Sequence, residues 1–204
     1  MKRSFGIAVI TLFSFIIIGT TYFLSCLDQK DFNLLPNLKK DETYIILIDA
    51  YPITKEMANI AGLKGEYGHV ELIRNNRVFG SRPPTCTEFD IDRLIKLYKG
   101  SLYEIRRIDL AGDFKLAIQY YKENIEGEPY DLYNRNCTSL INSMYLASSG
   151  QGIELAPLNV KKLYYSDARV RVYMENNKLP IPTNPVWFPD QFTEFGEFVG
   201  QGRF

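Results

Sequence analysis

The sequence predicts an α+β protein: a small antiparallel sheet packed on helices, preceded by an N-terminal hydrophobic leader or anchor helix. Three observations carry this expectation. Short β-branched or alternating runs are separated by tight-turn residues, the pattern of antiparallel strands. Segments with apolar residues at helical spacing lie between them, several opened by Asp or Asn and closed by Gly, the usual helix start and stop signals. A charge-free, mostly apolar stretch from Phe5 to Leu24 follows Met1-Lys2-Arg3.

That first stretch is about long enough to cross a bilayer. Positive charge ahead of it favours a cytoplasmic N-terminus with the rest exported. It reads as a retained signal anchor or as a secretory leader. Leu24-Ser25-Cys26 adds a third outcome, because it resembles a bacterial lipobox in which Cys26 is lipidated. The anchor and the lipoprotein make the membrane a partner, through residues 5–24 or through Cys26. Each places the domain at a membrane, facing the periplasm or cell exterior. Residues 27–42 are polar and read as a tether, and 43–204 as a single domain with an irregular C-terminal arm.

Within the domain, Thr43 to Asp49 is a β-branched run that predicts a buried strand. Pro52 to Ala61 suits a helix stopped by Gly62. His69 to Arg74 predicts a strand, Asn75-Asn76 a turn, and Arg77 to Gly80 the returning arm of a hairpin. Phe89 to Tyr98 has helical spacing. Leu102 to Leu110 predicts a strand and Asp113 to Ile125 a helix, broken at Gly127-Glu128-Pro129. Cys137 then opens a helix over Thr138 to Ser148, with Asn136 at its N-cap. Val170 to Met174 reads as a strand. Phe188, Phe192, Phe195 and Phe198 fall near helical spacing, as an arm docked on the core or a tail that touches membrane or substrate.

Composition narrows the function. With 204 residues and 46 % apolar side chains, one sizeable core is feasible. Lys+Arg and Asp+Glu balance at 24 each, which offers no basic face for nucleic acid. Three cysteines make no disulfide framework, although Cys86 and Cys137 can pair in an oxidising compartment. A single histidine and separated cysteines give no metal-ligand cluster of the usual spacing. No cofactor is expected.

The chemistry concentrates at two places. His69 is the one imidazole, inside Gly68-His69-Val70-Glu71-Leu72-Ile73. Cys137 follows Tyr130-Asp131-Leu132-Tyr133-Asn134-Arg135-Asn136 and precedes Thr138-Ser139-Leu140-Ile141-Asn142. A thiol at a helix N-terminus gains from the macrodipole, and the same N–H groups can bind an oxyanion. A histidine that meets it can take the thiol proton and later protonate the leaving group. Glu71 is the first candidate to orient the imidazole, since residues two apart on a strand share a face. Asn75, Arg77 and Glu88 are the alternatives. Tyr130, Asp131 and Asn136 are candidates to bind substrate around the thiol. Tyr130 and Asp131 equally suit a turn that leads into the helix.

These residues resemble a known family. Strand-borne Gly-His-Val-x-Leu, followed by Tyr-Asp-x-x-x-x-Asn-Cys-Thr-Ser-Leu-Ile-Asn at a helix start, is similar to the circularly permuted papain-like fold. That superfamily includes permuted NlpC-type cysteine peptidases and lecithin:retinol acyltransferase relatives. The resemblance spans roughly residues 43–148. It implies that His69 is the base and Cys137 the nucleophile. Acyltransferase-like members often carry a second histidine downstream of the first, and this chain has none. The expected activity is that of a membrane-tethered thiol hydrolase or acyltransferase. It would cleave amide or ester bonds in peptides, peptidoglycan or lipids through a Cys137 thioester. The alternative is a catalytically inactive binding module on the same fold.

Overall fold

The computed structural model describes residues 34–110 and 113–204. The readings of a leader, an anchor and a lipidated Cys26 fall outside the described residues. Among the described residues, no helix is long and apolar enough to cross a membrane.

The strands are β1 (Thr43–Ile48), β2 (His69–Arg74), β3 (Arg77–Arg82), β4 (Thr85–Asp90), β5 (Leu102–Ile108) and β6 (Glu197–Arg203). They form one six-stranded sheet in the order β4-β3-β2-β1-β5-β6, and every neighbouring pair is antiparallel. The helices are α1 (Pro52–Ile60), α2 (Ile91–Leu97), α3 (Phe114–Asn124), α4 (Cys137–Ser149), α5 (Val160–Ser166) and α6 (Ala168–Asn176). The protein is therefore α+β, as its pattern of elements predicts.

β1 is central, and its alternation serves two cores. Ile45 and Leu47 join Val70, Leu72 and Phe79 against Tyr121 of α3 and Leu140, Ile141 and Met144 of α4. Ile46 and Ile48 join Ile73, Val78, Phe89 and Ile105 against Leu94 of α2 and Leu35. Each such buried side chain contributes about 1.5–3 kcal/mol, so the run Ile45 to Ile48 anchors the sheet from both sides. α1, α5 and α6 close a third cluster around Met57, Val160, Val170 and Met174.

Several expectations change. The end of the predicted tether is docked rather than free: Leu35 is buried, and Leu34 N–H donates to the Tyr103 hydroxyl at 3.1 Å. The segment read as a loop before Cys86 is a tight turn, and Thr85–Asp90 is a sheet strand paired along its length with β3. This delays the helix predicted from Phe89 to Ile91. The predicted strand at Val170–Met174 lies inside α6. There Val170, Tyr173 and Met174 are buried, the spacing of one helix face. The Asp167 carboxylate caps that helix, accepting from Arg169 N–H at 2.9 Å. The C-terminal phenylalanines do not form a helix. Phe188 and Phe192 enter the core, a 3-10 turn spans Pro189–Glu194, and Phe198 belongs to the edge strand β6.

Candidate active site

The site forms where β2 begins and α4 begins. Asn136 caps α4: its Oδ1 accepts from Ser139 N–H at 2.8 Å, and Ser139 Oγ accepts from Asn136 N–H at 2.9 Å. This reciprocal capping box fixes the first turn. Three ties bring that turn to the sheet. Ser81 Oγ donates to Arg135 O at 2.7 Å. Tyr130 N–H donates to Pro84 O at 2.9 Å, and Cys86 N–H to Glu128 O at 3.0 Å. Thr138 Oγ1 donates to Trp187 O at 3.0 Å, which draws in the C-terminal segment.

His69 opens β2. The glycine before it has a steric reason: a Cβ on Gly68 would lie 1.9 Å from Ala50 O, where no side chain fits. The loop before it is held by Asp190, whose carboxylate accepts from the N–H groups of Gly65 at 3.0 Å, Glu66 at 2.8 Å and Tyr67 at 3.1 Å. The Tyr51 ring packs 5.0 Å from the imidazole and the Tyr98 ring 5.6 Å from it. Tyr51 has a left-handed backbone, φ 53°, which is uncommon for a bulky residue.

The imidazole has two neighbours. Its Nε2 donates to Glu71 Oε1 at 2.7 Å, and Cys137 lines the same cleft beside it. Burial alone would depress the imidazole's proton affinity. The Glu71 charge, the Cys137 sulfur and hydrogen bonding outweigh burial and raise the pKa to about 10. Glu71 is fully buried, so its charge acts on the ring with little screening.

A cleft of about 330 Å³ opens over this pair. Ile53, Met57, Leu132, Val160, Leu179 and Phe188 supply apolar wall, and His69, Cys137 and Tyr130 supply the polar floor. Tyr130 is half-buried; burial, then the neighbouring Cys137 charge, raises its hydroxyl pKa.

The structure brings together His69, Glu71, Cys137, Tyr130 and Asn136. It does not bring Asp131 into the cleft wall. Asp131 is exposed and accepts from Tyr133 and Asn134 N–H at 2.9 and 2.8 Å, a turn-forming role. Asn136 lines the cleft, but its amide is committed to the helix cap and to Leu132 O at 2.8 Å. The alternative orienters stand at the far end of the hairpin. Arg74 pairs with Arg77 across the turn, and Arg77 bonds Glu88 at 2.7 Å. Cys86 and Cys137 are both free thiols, so the pairing open to them in an oxidising compartment is not formed. Cys86 is sealed in the sheet core beside Ser81 Oγ at 3.2 Å.

Sequence reasoning missed Arg82, Asp190 and Tyr51. Arg82 had a signal: carrying the Arg74–Arg77 register back along the hairpin sets Arg82 opposite His69 and Gly80 opposite Glu71. Asp190 had none, because its loop lies at the other end of the chain.

No protein-family model matches the chain, and no curated protein matches it. Among solved structures it is similar to the metalloprotein yiiX from Escherichia coli O157:H7, a DUF1105 protein. The likeness has a TM-score of 0.59 and 17 % identity, and covers 79 % of this chain and 96 % of that one. At that identity the two share a fold. Among the described residues of this chain, no group of three or more His, Cys, Asp or Glu side chains could hold a metal ion.

Proposed function

We propose that this protein is a thiol hydrolase or acyltransferase of the permuted papain-like type, with Cys137 as nucleophile and His69 as base. The observation that carries the reading is the buried imidazole bonded to Glu71 and set beside Cys137 in one cleft. With its pKa raised to about 10, the His69 ring holds a proton at neutral pH, paired with the Cys137 sulfur, and that sulfur attacks the substrate carbonyl carbon. Ser139 N–H is engaged by the Asn136 side chain and Leu140 N–H by Asn136 O. The N–H groups of Cys137 and Thr138 are then the first-turn donors for the tetrahedral oxyanion. The imidazolium returns its proton to the departing amine or alcohol, which leaves a thioester on Cys137. Water or a second alcohol or amine attacks that thioester, and the sulfur leaves to complete the cycle.

The cleft walls favour an acyl group with hydrocarbon character over a sugar, because a desolvated hydroxyl would find few partners among Ile53, Met57, Leu179 and Phe188. An ester or amide of such an acyl group is the preferred substrate class. A membrane would supply it, with the domain outside the cytoplasm and attached through residues 5–24 or Cys26. The test is iodoacetamide labelling near neutral pH. Cys137 should react far faster than Cys86, and His69→Ala should slow Cys137 by at least about 100-fold. Equal, slow labelling of both thiols would support a binding module instead.

A further inference from the structure

Three neighbouring strands present one polar stripe on a face that is otherwise apolar. β2 supplies His69 and Glu71, β3 supplies Arg82 and the open space at Gly80, and β4 supplies Thr87, with the apolar Phe89 ring on the same face. Glu71 Oε1 accepts twice, from His69 Nε2 at 2.7 Å and from Arg82 Nη1 at 2.9 Å. Arg82 is itself buried and fixed on three sides. Its Nη1 meets Glu71, its Nη2 donates to Thr87 Oγ1 at 3.3 Å, and its guanidinium carbon stands 3.9 Å over the Phe89 ring.

The other carboxylate oxygen shows how tightly Glu71 is placed. Glu71 Oε2 is buried with no hydrogen-bond partner. It fills the space a Cβ would take on Gly80, which would lie 2.0 Å from it. A carboxylate with one oxygen unsatisfied, beside Ile46 on β1, is costly to bury. Something must hold it there, and the permanently charged, forked guanidinium is the group in position.

We propose that Arg82 is a positioning residue for the catalytic pair, holding the Glu71 carboxylate so that it orients His69 toward Cys137. Arg82 also lines the cleft, but its hydrogen bonds run to Glu71 and Thr87, so its action on the pair goes through Glu71. The inference rests on the thiol-enzyme reading above. It extends the relay by one residue, to Cys137–His69–Glu71–Arg82, with two positive and two negative partners once the thiol proton is on the ring.

The experiment is iodoacetamide labelling of Cys137 across pH in the full chain, with His69→Ala, Glu71→Gln, Arg82→Gln and the Glu71→Gln/Arg82→Gln double variant. Circular dichroism checks that each is folded. A His69→Ala protein that labels at the native rate removes the pair itself, and the proposal with it. With the pair intact, Arg82→Gln should label about 100-fold more slowly, the cost of a displacement near 1 Å. Its pH profile should coincide with that of Glu71→Gln, and the double variant should be no slower than Glu71→Gln alone. Losses that add in the double variant, or native-rate labelling of Arg82→Gln, overturn the role of Arg82 and leave the pair standing. If Arg82→Gln fails to fold, Arg82→Lys takes its place in the same cycle. It keeps the charge but lacks the fork, and the same two outcomes decide.

Discussion

The two described thiols occupy opposite kinds of environment, although both are buried. Cys137 sits at the first turn of α4, with a cleft in front and the imidazole of His69 beside it. Cys86 sits in the middle of the sheet core, where its neighbour is the Ser81 hydroxyl and burial raises its thiol pKa. Depth does not separate them. The difference lies in the neighbours: one sulfur has a proton acceptor and a helix start, the other a hydroxyl and packed side chains. Reactivity is a property of that local field and of access.

The largest expected effect follows directly. Cys137→Ser should abolish hydrolysis of a long-chain p-nitrophenyl ester, whereas Cys86→Ser should retain it; equal losses would erase the distinction. Next comes the base. His69→Ala should reduce the same turnover by about 10²–10⁴-fold, with Cys86 labelling unchanged.

A third effect separates the scaffolding of the two regions. Asp190→Ala frees three N–H groups in the loop before His69. It should cost about 3 kcal/mol in urea unfolding and slow Cys137 labelling more than Cys86 labelling. Parallel slowing of both would mean a general loosening instead.

The ionisation of His69 adds a pH signature. Its folded-state pKa of about 10 lies above the ordinary 6.5, so the folded ring keeps a proton between those values that an unfolded imidazole loses. Stability from this source is complete below pH 6.5 and is lost as pH rises toward 10. Denaturant midpoints measured from pH 7 to 10 should fall, and His69→Asn should flatten the decline. A slope unchanged by that substitution would assign it to other groups.

The smallest effect belongs to the Cys86 side of the sheet. The Tyr121 hydroxyl is buried without a partner, while its ring packs on Phe79 at 5.3 Å. Tyr121→Phe should be neutral or stabilising by up to about 1 kcal/mol, with labelling of Cys137 untouched.

Much of the site was legible residue by residue. Period-two spacing put His69 and Glu71 on one face of a strand, and they are bonded there. Asn136 as a cap and Cys137 at a helix start followed from local chemistry alone, and the capping box is present. Asp131 was read two ways because a Tyr-Asp step suits either a pocket or a turn; its backbone contacts make it a turn. β4 escaped notice because two prolines in succession suggest a loop, and Thr-Cys-Thr-Glu is weakly apolar. The α6 error came from β-branched valines. Their intrinsic preference lost to the burial of one helical face, as tertiary packing overrides local propensity.

What the chain by itself determined is therefore local: which segments alternate, which turn, where a helix can begin, and that a lone imidazole has a carboxylate two residues away. These depend on neighbours within a few positions. What only the tertiary structure decided is who meets across the fold. The meeting of Cys137 with His69, the hold of Asp190 on the His69 loop, and an arginine braced on Phe89 all join residues from separate elements. Such contacts are set by the packing of the sheet and helices around shared cores, and no short window of sequence contains that information.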